Sequence, residues 1–423
     1  MSFSKNENRI VITGLGAITP IGNSIVEFWN ALQNGISGAA KITAFDTSKF
    51  RTQFACEIKN YQAENYFDAK ELKKLDAFSQ YALMATEEAI QHSKLLDYQA
   101  LNKKRVGVLF ASGFGGVKTF EQELLQYYQN DRNPRYFSPF FVPRTLLDLA
   151  GGYISMKYGF KGINFSVVAA CASSAVALID AMNYIRLGKA DVMIVCGAEA
   201  SVTEVSMGAF SAMKALSERN DEPHKASRPF DANRDGFVMG EGSACIILEH
   251  EEHAQQRAAT IIAEIAGGAM NADAYHITAP HPDGESVMQV MRDALEDASL
   301  QPTQIDYINA HGTSTPLGDA AEIKAIESVF EKHAYHLNIS STKSMTGHLM
   351  GAAGIVEAVA AVLSMQNNLV PPTINHFKLD EALNPRLNYT FNFAQKKQLN
   401  AVMSNNFGFG GHNASIIFKR YNK

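Results

Sequence analysis

Short runs of β-branched and other apolar residues alternate along the chain with longer stretches whose apolar positions recur at helical spacing. The short runs predict strands over 9–13, 106–110, 165–169, 192–196, 244–249, 261–266, 307–310 and 337–340. The longer stretches predict helices over 69–92, 142–158, 174–187, 319–330 and 352–366, with Gly159 and Gly188 standing where helix C-caps belong. Strands alternating with helices indicate an α/β fold with mainly parallel pairing. No low-complexity tract, long charge run or Pro/Gly/Ser linker divides the chain.

One internal echo stands out. Residues 164–178 run strand, small-residue turn carrying Cys171, then apolar helix; residues 338–363 run strand, small-residue turn carrying His348, then another Ala-rich helix. A period this long is no solenoid repeat. It reads as duplication of a half-domain, although two unrelated α/β segments would also look this alike. The junction between halves falls near Arg257 to Thr260, dividing the chain into 1–259 and 260–423.

Composition narrows the function classes. The chain has 423 residues, 46% hydrophobic and 19% charged, an ordinary globular mixture with enough apolar material for a large core. A formal net charge of -5 argues against bulk attraction to nucleic acid. Met1 to Asn8 is polar and lacks a signal-peptide core. The most apolar stretch, 162–179, is interrupted by Asn164, Ser166, Cys171, Ser173 and Ser174, so it reads as a buried strand and helix. These features predict a cytoplasmic protein with no membrane span. Cys56, Cys171, Cys196 and Cys245 are too scattered for a zinc site and are expected to be reduced thiols.

Cys171 is the cysteine with a chemical setting. It lies in Val167-Val-Ala-Ala-Cys-Ala-Ser-Ser-Ala175, where a strand end passes into an apolar helix. A thiol beside a helix N-terminus feels the positive end of the dipole, which favours thiolate. That effect is at most about 2 kcal/mol, or roughly 1.5 pKa units, against a free thiol pKa of about 8.5. Burial opposes it. The dipole alone is insufficient, so a nearby histidine is expected. Two occur in suitable turns: His311 in Tyr307-Ile-Asn-Ala-His-Gly-Thr-Ser-Thr315, and His348 in Ser341-Thr-Lys-Ser-Met-Thr-Gly-His-Leu-Met-Gly351. Either alone also reads as a hydrogen-bonded turn residue. The other ten histidines mostly read as solvated.

These segments resemble the signatures of the β-ketoacyl synthases: Ala170-Cys-Ala-Ser173, His311-Gly-Thr-Ser-Thr315, Lys343-Ser-Met-Thr-Gly-His348 and Asn405-Asn-Phe-Gly-Phe-Gly-Gly-His-Asn413. Ser138-Pro-Phe-Phe-Val-Pro143, Ser227-Arg-Pro-Phe-Asp231 and Arg234-Asp-Gly-Phe237 also match, and the likeness runs in order from Arg9 to Tyr421. The resemblance is nearest to the chain-elongating type II members of the thiolase superfamily. Two histidines distinguish them from initiating synthases, which pair Cys with His and Asn, and from thiolases, which use a second Cys.

The resemblance implies the thiolase fold, two similar halves stacked as α-β-α-β-α layers, usually as a homodimer. It implies an acyltransferase that condenses an acyl-Cys171 thioester with malonyl-acyl carrier protein, His311 and His348 stabilising the enolate. The N–H groups of Cys171 and Phe409 would form the oxyanion hole, with Phe409 also gating acyl entry. Lys343 and Glu357 would support the site and orient His348, or form an ordinary ion pair. Thr313, Thr315 and Phe407 would contact substrate, the threonines holding the pantetheine arm or bonding only local backbone. Asp319 and Glu322 match acidic family positions, with helix capping an alternative for Asp319. No metal or redox cofactor is implied, the phosphopantetheine arriving on the carrier. Lys70, Lys73, Lys74, Arg135 and Lys214 would meet the acidic carrier, or simply form solvated faces. Phe114 departs from the family, which often has Ile or Gly there; it would line the acyl channel or fill a gap beside glycines. A ketosynthase of polyketide or aryl-polyene assembly is the alternative reading. Intact Cys171, His311 and His348 argue against a non-catalytic chain-length partner.

Overall fold

Long apolar runs settle as strands when helices cover both faces of a sheet, and ten segments here do so. The computed structural model describes residues 9–422, so the polar stretch Met1 to Asn8 lies outside the described residues. The strands are β1 (Ile10–Ile18), β2 (Val106–Ala111), β3 (Asn164–Val167), β4 (Val192–Glu199), β5 (Gly242–His250), β6 (Ala263–Ala272), β7 (Tyr307–Asn309), β8 (Asn338–Ser340), β9 (Ala401–Gly408) and β10 (His412–Lys419). The helices that cover them most extensively are α1 (Ala77–Ser93), α2 (Asp148–Tyr158), α3 (Ser173–Arg186), α4 (Glu285–Ala298), α5 (Pro316–Phe330) and α6 (Ala353–Asn367).

The ladder runs β3-β2-β4-β5-β1-β6-β10-β9-β7-β8. Counted from its own first strand, each five-strand half repeats one order: third, second, fourth, fifth, first. The halves meet where β1 pairs antiparallel with β6 at Ile10↔Ile265, Val11↔Glu264 and Ile12↔Ala263. Helices α3 and α6 are sandwiched between the halves, α1 and α2 cover the N-terminal sheet, and α4 and α5 cover the C-terminal one. This is the α-β-α-β-α stack. Strand β3, a turn and α3 correspond to strand β8, a turn and α6, so the internal echo is a duplication of structure.

Pairing is mixed, not mainly parallel. Strands β2, β3 and β4 pair in parallel, as do β7, β8 and β9, because helical crossovers join them. The remaining ladders are antiparallel. Two helices expected to be continuous are broken. The first divides into Ala69–Leu72 and α1, because the Asp76 carboxylate caps α1 by accepting from the Phe78 N–H at 3.2 Å. The second divides into Phe141–Thr145 and α2 at Leu146, whose backbone is extended. Strands β9 and β10 and the helices Ile25–Gln33, Val117–Gln129, Glu204–Ala212 and α4 are additional to those expected. Strand β9 escaped the apolar pattern because Ser404, Asn405 and Asn406 interrupt it, yet all three are buried.

The segment Met350–Asn367 is long and apolar enough to cross a membrane by length and composition, and it is 89% buried inside the protein as the central helix α6. All four cysteines are buried free thiols. Several histidines expected in solvent have partners instead: His253 Nδ1 lies 2.6 Å from Glu249, and His376 stacks on Phe391 with centroids 3.5 Å apart.

Candidate active site

The nucleophile turn forms where β3 gives way to α3. Residues Ala170–Ala172 make a single 3-10 turn, and Ala170 adopts φ 48°, a left-handed conformation strained for a residue with a Cβ. Ser173 fastens the turn, its Oγ accepting from the Ala169 N–H at 2.8 Å and donating to the Ala170 carbonyl at 2.6 Å. Cys171 Sγ is thereby delivered into a cavity of about 660 Å³ shared by both halves. The cavity wall includes His311, His348, Thr313, Thr315, Phe407, Phe409, Phe114 and Lys214. Sequence positions far apart thus converge on one chamber.

His348 and His311 reach it differently. His348 Nε2 lies 3.0 Å from Cys171 Sγ. Its backbone is pinned by Val238 and Gly240: the His348 N–H donates to the Val238 carbonyl at 2.7 Å, and the Gly240 N–H donates to the His348 carbonyl at 2.9 Å. His311 is held through its N–H, which donates to Glu322 at 2.9 Å, and through its ring, whose Nδ1 lies 3.3 Å from Lys343 Nζ. An ammonium can only donate, so His311 Nδ1 accepts and its proton sits on Nε2. The two imidazoles stand nearly perpendicular, centroids 5.4 Å apart.

Lys343 is therefore a partner of His311, not of His348 as expected. Its ammonium also pairs with Glu357, and Glu357 accepts from Asn406 Nδ2 at 2.6 Å. Glu357 thus forms the ion pair, buried, and is connected through Lys343 to His311. Burial, followed by the Lys343 charge, pushes His348 well below the ordinary histidine range; for His311 the causes are the same with His348 as a third. Both rings are neutral near pH 7. Among protein atoms, His348 Nδ1 is buried without a hydrogen-bond partner. An orphan acceptor is the less costly of the two possibilities, which favours the tautomer with its proton on Nε2, facing sulfur.

At Cys171 burial outweighs the helix dipole, as the sequence reading allowed, and a histidine does stand beside the thiol. Burial pushes its thiol up to about 11, outweighing the opposing Lys343 charge and the Phe409 N–H that points at the sulfur. The resting pair is a thiol beside a neutral imidazole. Gly408 explains why the Phe409 loop approaches so closely: a Cβ there would stand 2.9 Å from both the Cys171 nitrogen and the Ala169 oxygen. Any side chain would crowd the amide expected to serve as oxyanion donor.

The remaining assignments divide. Thr313 and Thr315 bond each other through their hydroxyls at 3.0 Å, and Phe407 packs on His311 at 5.7 Å. Glu322 cradles the His311 and Gly312 N–H groups and is raised by burial to about 7. Asp319 is not the α5 cap, since Thr315 holds that position; it accepts from the Ser314 and Phe230 N–H groups and pairs with Arg234 at 3.3 Å. Lys70, Lys73, Lys74, Arg135 and Lys214 are all exposed, but only Lys214 lines the cavity. Phe210, Phe237 and Met350 also line it and were given no role from the sequence, where Phe210 looks like ordinary apolar filling while Phe237 and Met350 stand in segments quoted for other residues. Phe237 meets His348 edge-on at 5.4 Å, and Phe210 bridges Phe114 and Phe409 at 5.9 and 6.5 Å.

Residues 7–254 match the pattern of the β-ketoacyl synthase N-terminal domain, and residues 262–377 match that of its C-terminal domain. The chain belongs to the β-ketoacyl synthase family. Among similar proteins, the 3-oxoacyl-[acyl-carrier-protein] synthase 2 of Coxiella burnetii is 45% identical over 98% of this chain and 99% of its own. Its Staphylococcus aureus (strain COL) namesake is 45% identical over 99% and 100%. A β-ketoacyl synthase structure from Burkholderia phymatum superposes with TM-score 0.91 at 34% identity, covering 98% of this chain and 100% of that one. The ketosynthase of a type II polyketide acyl-carrier-protein complex gives TM-score 0.91 at 32% identity, with the same coverage. The synthase therefore has the thiolase-like fold.

Because only thiolate is the nucleophile, the raised Cys171 pKa predicts slow alkylation near neutrality. Inactivation by iodoacetamide should keep rising from about pH 7 to about pH 10, past the range where an ordinary thiol of pKa about 8.5 levels off. A plateau below about pH 8 would contradict the burial argument.

Proposed function

We propose that this synthase lengthens an acyl chain by decarboxylative Claisen condensation of an acyl-Cys171 thioester with malonyl-acyl carrier protein, in fatty acid elongation. The observation that carries this reading is the meeting of Cys171 Sγ, His348 Nε2 at 3.0 Å and His311 in one buried chamber. Full-length identity of 45% to enzymes named 3-oxoacyl-[acyl-carrier-protein] synthase 2, against 32% to the polyketide ketosynthase, supports the fatty acid pathway over polyketide assembly.

In the first half-reaction Cys171 sulfur attacks the carbonyl carbon of an acyl-carrier thioester. The Cys171 and Phe409 N–H groups receive the developing oxyanion. Cys171 attacks as the thiolate, having released its proton to solvent; the carbon–sulfur bond to the carrier breaks, and the departing pantetheine thiolate takes up a proton in return. In the second, the malonyl thioester oxygen lies between the Nε2–H groups of His311 and His348. The bond to the carboxylate breaks, carbon dioxide departs, and its electron pair becomes the enolate. Neutral imidazoles donate hydrogen bonds without surrendering a proton, so the enolate carbon stays nucleophilic. It attacks the acyl-Cys171 carbonyl; the carbon–sulfur bond breaks, and the Cys171 thiolate leaves and takes a proton from solvent. No step draws on a metal or redox cofactor.

Thr313, Thr315 and Phe407 line the approach to the histidines and suit a pantetheine arm. The exposed cations Lys70, Lys73, Lys74, Arg135 and Lys214 suit an acidic carrier, Lys214 at the cavity mouth. Two copies would associate through β3, an edge strand that among the described residues pairs only with β2. Support comes from Phe114 and Val168, which line the cavity yet are 42% and 61% exposed in one chain. The buried free thiols suit a cytoplasmic setting.

Cys171→Ala should abolish condensation and leave malonyl decarboxylation measurable. His311→Ala and His348→Ala should each lower carbon dioxide release about 10²-fold, the usual cost of one oxyanion donor, with self-acylation less affected. Normal decarboxylation in both histidine variants would remove their enolate role. Carrier recognition has its own readout: reversing two charges among Lys70, Lys73, Lys74, Arg135 and Lys214 should raise KM for carrier-linked substrate and flatten its salt dependence. Activity on a pantetheine mimic should persist; equal losses on both substrates would contradict the patch.

A further inference from the structure

A fully buried carboxylate outside the reaction scheme lies behind the acyl wall. Glu199, the last residue of β4, accepts four hydrogen bonds. Its Oε2 takes the Gly113 N–H at 2.6 Å and the Gly351 N–H at 3.0 Å; its Oε1 takes the Phe114 N–H at 3.1 Å and the Ser112 hydroxyl at 3.1 Å. Those donors belong to two turns from opposite halves, and each turn sends one side chain into the cavity, Phe114 from the first and Met350 from the second. The turns touch through backbone: a Cβ on Gly351 would fall 2.2 Å from the Gly113 nitrogen.

Fold symmetry explains the cradle. The 3-10 turn Met350–Ala352 before α6 repeats the turn Ala170–Ala172 before α3, and Met350 has φ 45° where Ala170 has φ 48°. Gly351 thus occupies the position that Cys171 holds in the other half. There the Cys171 amide faces a loop with Gly408; here the Gly351 amide faces the Glu199 carboxyl. Burial raises the Glu199 carboxyl to about 7 against the opposing N–H groups, so its hold depends on those donors.

We propose that Glu199 is a positioning residue for acyl-length selection, clamping the Phe114 turn against the Met350 turn so that the two side chains close the acyl pocket. This rests on the proposed condensation and on the first of the two sequence expectations for Phe114, that as a cavity-lining residue it bounds the acyl chain. An isosteric amide cannot hold the cradle. Its NH2 group would face N–H donors on one side, and the Ser112 hydroxyl can rotate away but the Phe114 amide cannot, so that turn is released.

Acylation rates of the full-length enzyme across saturated acyl-carriers of increasing length test this. E199Q should raise the ratio of the rate for primers about two carbons beyond the wild-type optimum to that for short primers by about tenfold. F114G should shift the same ratio in the same direction. E199A opens a cradle of donors the size of a small carboxylate, so adding formate should return its profile toward wild type, a recovery that general loosening of the fold would not give. A profile for E199Q parallel to wild type, while F114G shifts, would overturn the role of Glu199 and leave the acyl wall standing. Parallel profiles in both variants would overturn the wall and the clamp together.

Discussion

A buried ammonium is the constraint around which this site is organised. Lys343 has almost no exposed surface, and a buried charge is tolerated only when paired and hydrogen-bonded. Glu357 supplies the counter-charge, Asn406 occupies its second oxygen, and His311 Nδ1 takes a remaining ammonium proton. Each partner acquires its geometry from Lys343. Because an ammonium can only donate, His311 is fixed as the Nε2–H tautomer. Because the charge lies near both rings, it adds to burial in keeping them neutral.

The duplicated fold turns that pair into a catalyst. The N-terminal half contributes Cys171 at the turn before α3; the C-terminal half contributes His311 after β7, His348 before α6 and the Phe409 loop after β9. Helices α3 and α6 pack on each other between the sheets, bringing their preceding turns into one chamber. One half keeps a thiol at its turn and leaves the amide facing a cavity. The other keeps Gly351 and fills the corresponding cradle with Glu199. Symmetry of backbone thus coexists with asymmetry of chemistry.

Much of this was legible in the sequence. Cys171, His311, His348 and the glycine-rich loops could be read because each stands where an apolar strand meets a small-residue turn. The β-ketoacyl synthase likeness followed from their order. Strand β9 was not read, since Asn405 and Asn406 break its apolar pattern; those side chains face inward to Glu322 and Glu357. The site imposed polar residues on a buried strand. Mixed pairing was equally hidden, because the antiparallel strands β1 and β5 are buried along almost their whole length, as parallel strands are when helices cover both faces. Glu199 ends an apolar run and gave no signal, its importance coming wholly from the turns it meets in space. Whether Lys343 would face His311 or His348 could not be read from spacing, since both histidines lie in turns and the choice depends on how the two loops pack.

The most direct test is the protonation of the imidazoles, read by NMR on isotope-labelled histidine nitrogens, with H311N and H348N as assignment controls. At about pH 6, where an ordinary histidine is largely imidazolium, His311 and His348 should both be neutral, and His311 should carry its proton on Nε2 with Nδ1 accepting. A cationic ring at either position, or a proton on His311 Nδ1, would contradict the claim that buried Lys343 sets the charge and tautomer of the site.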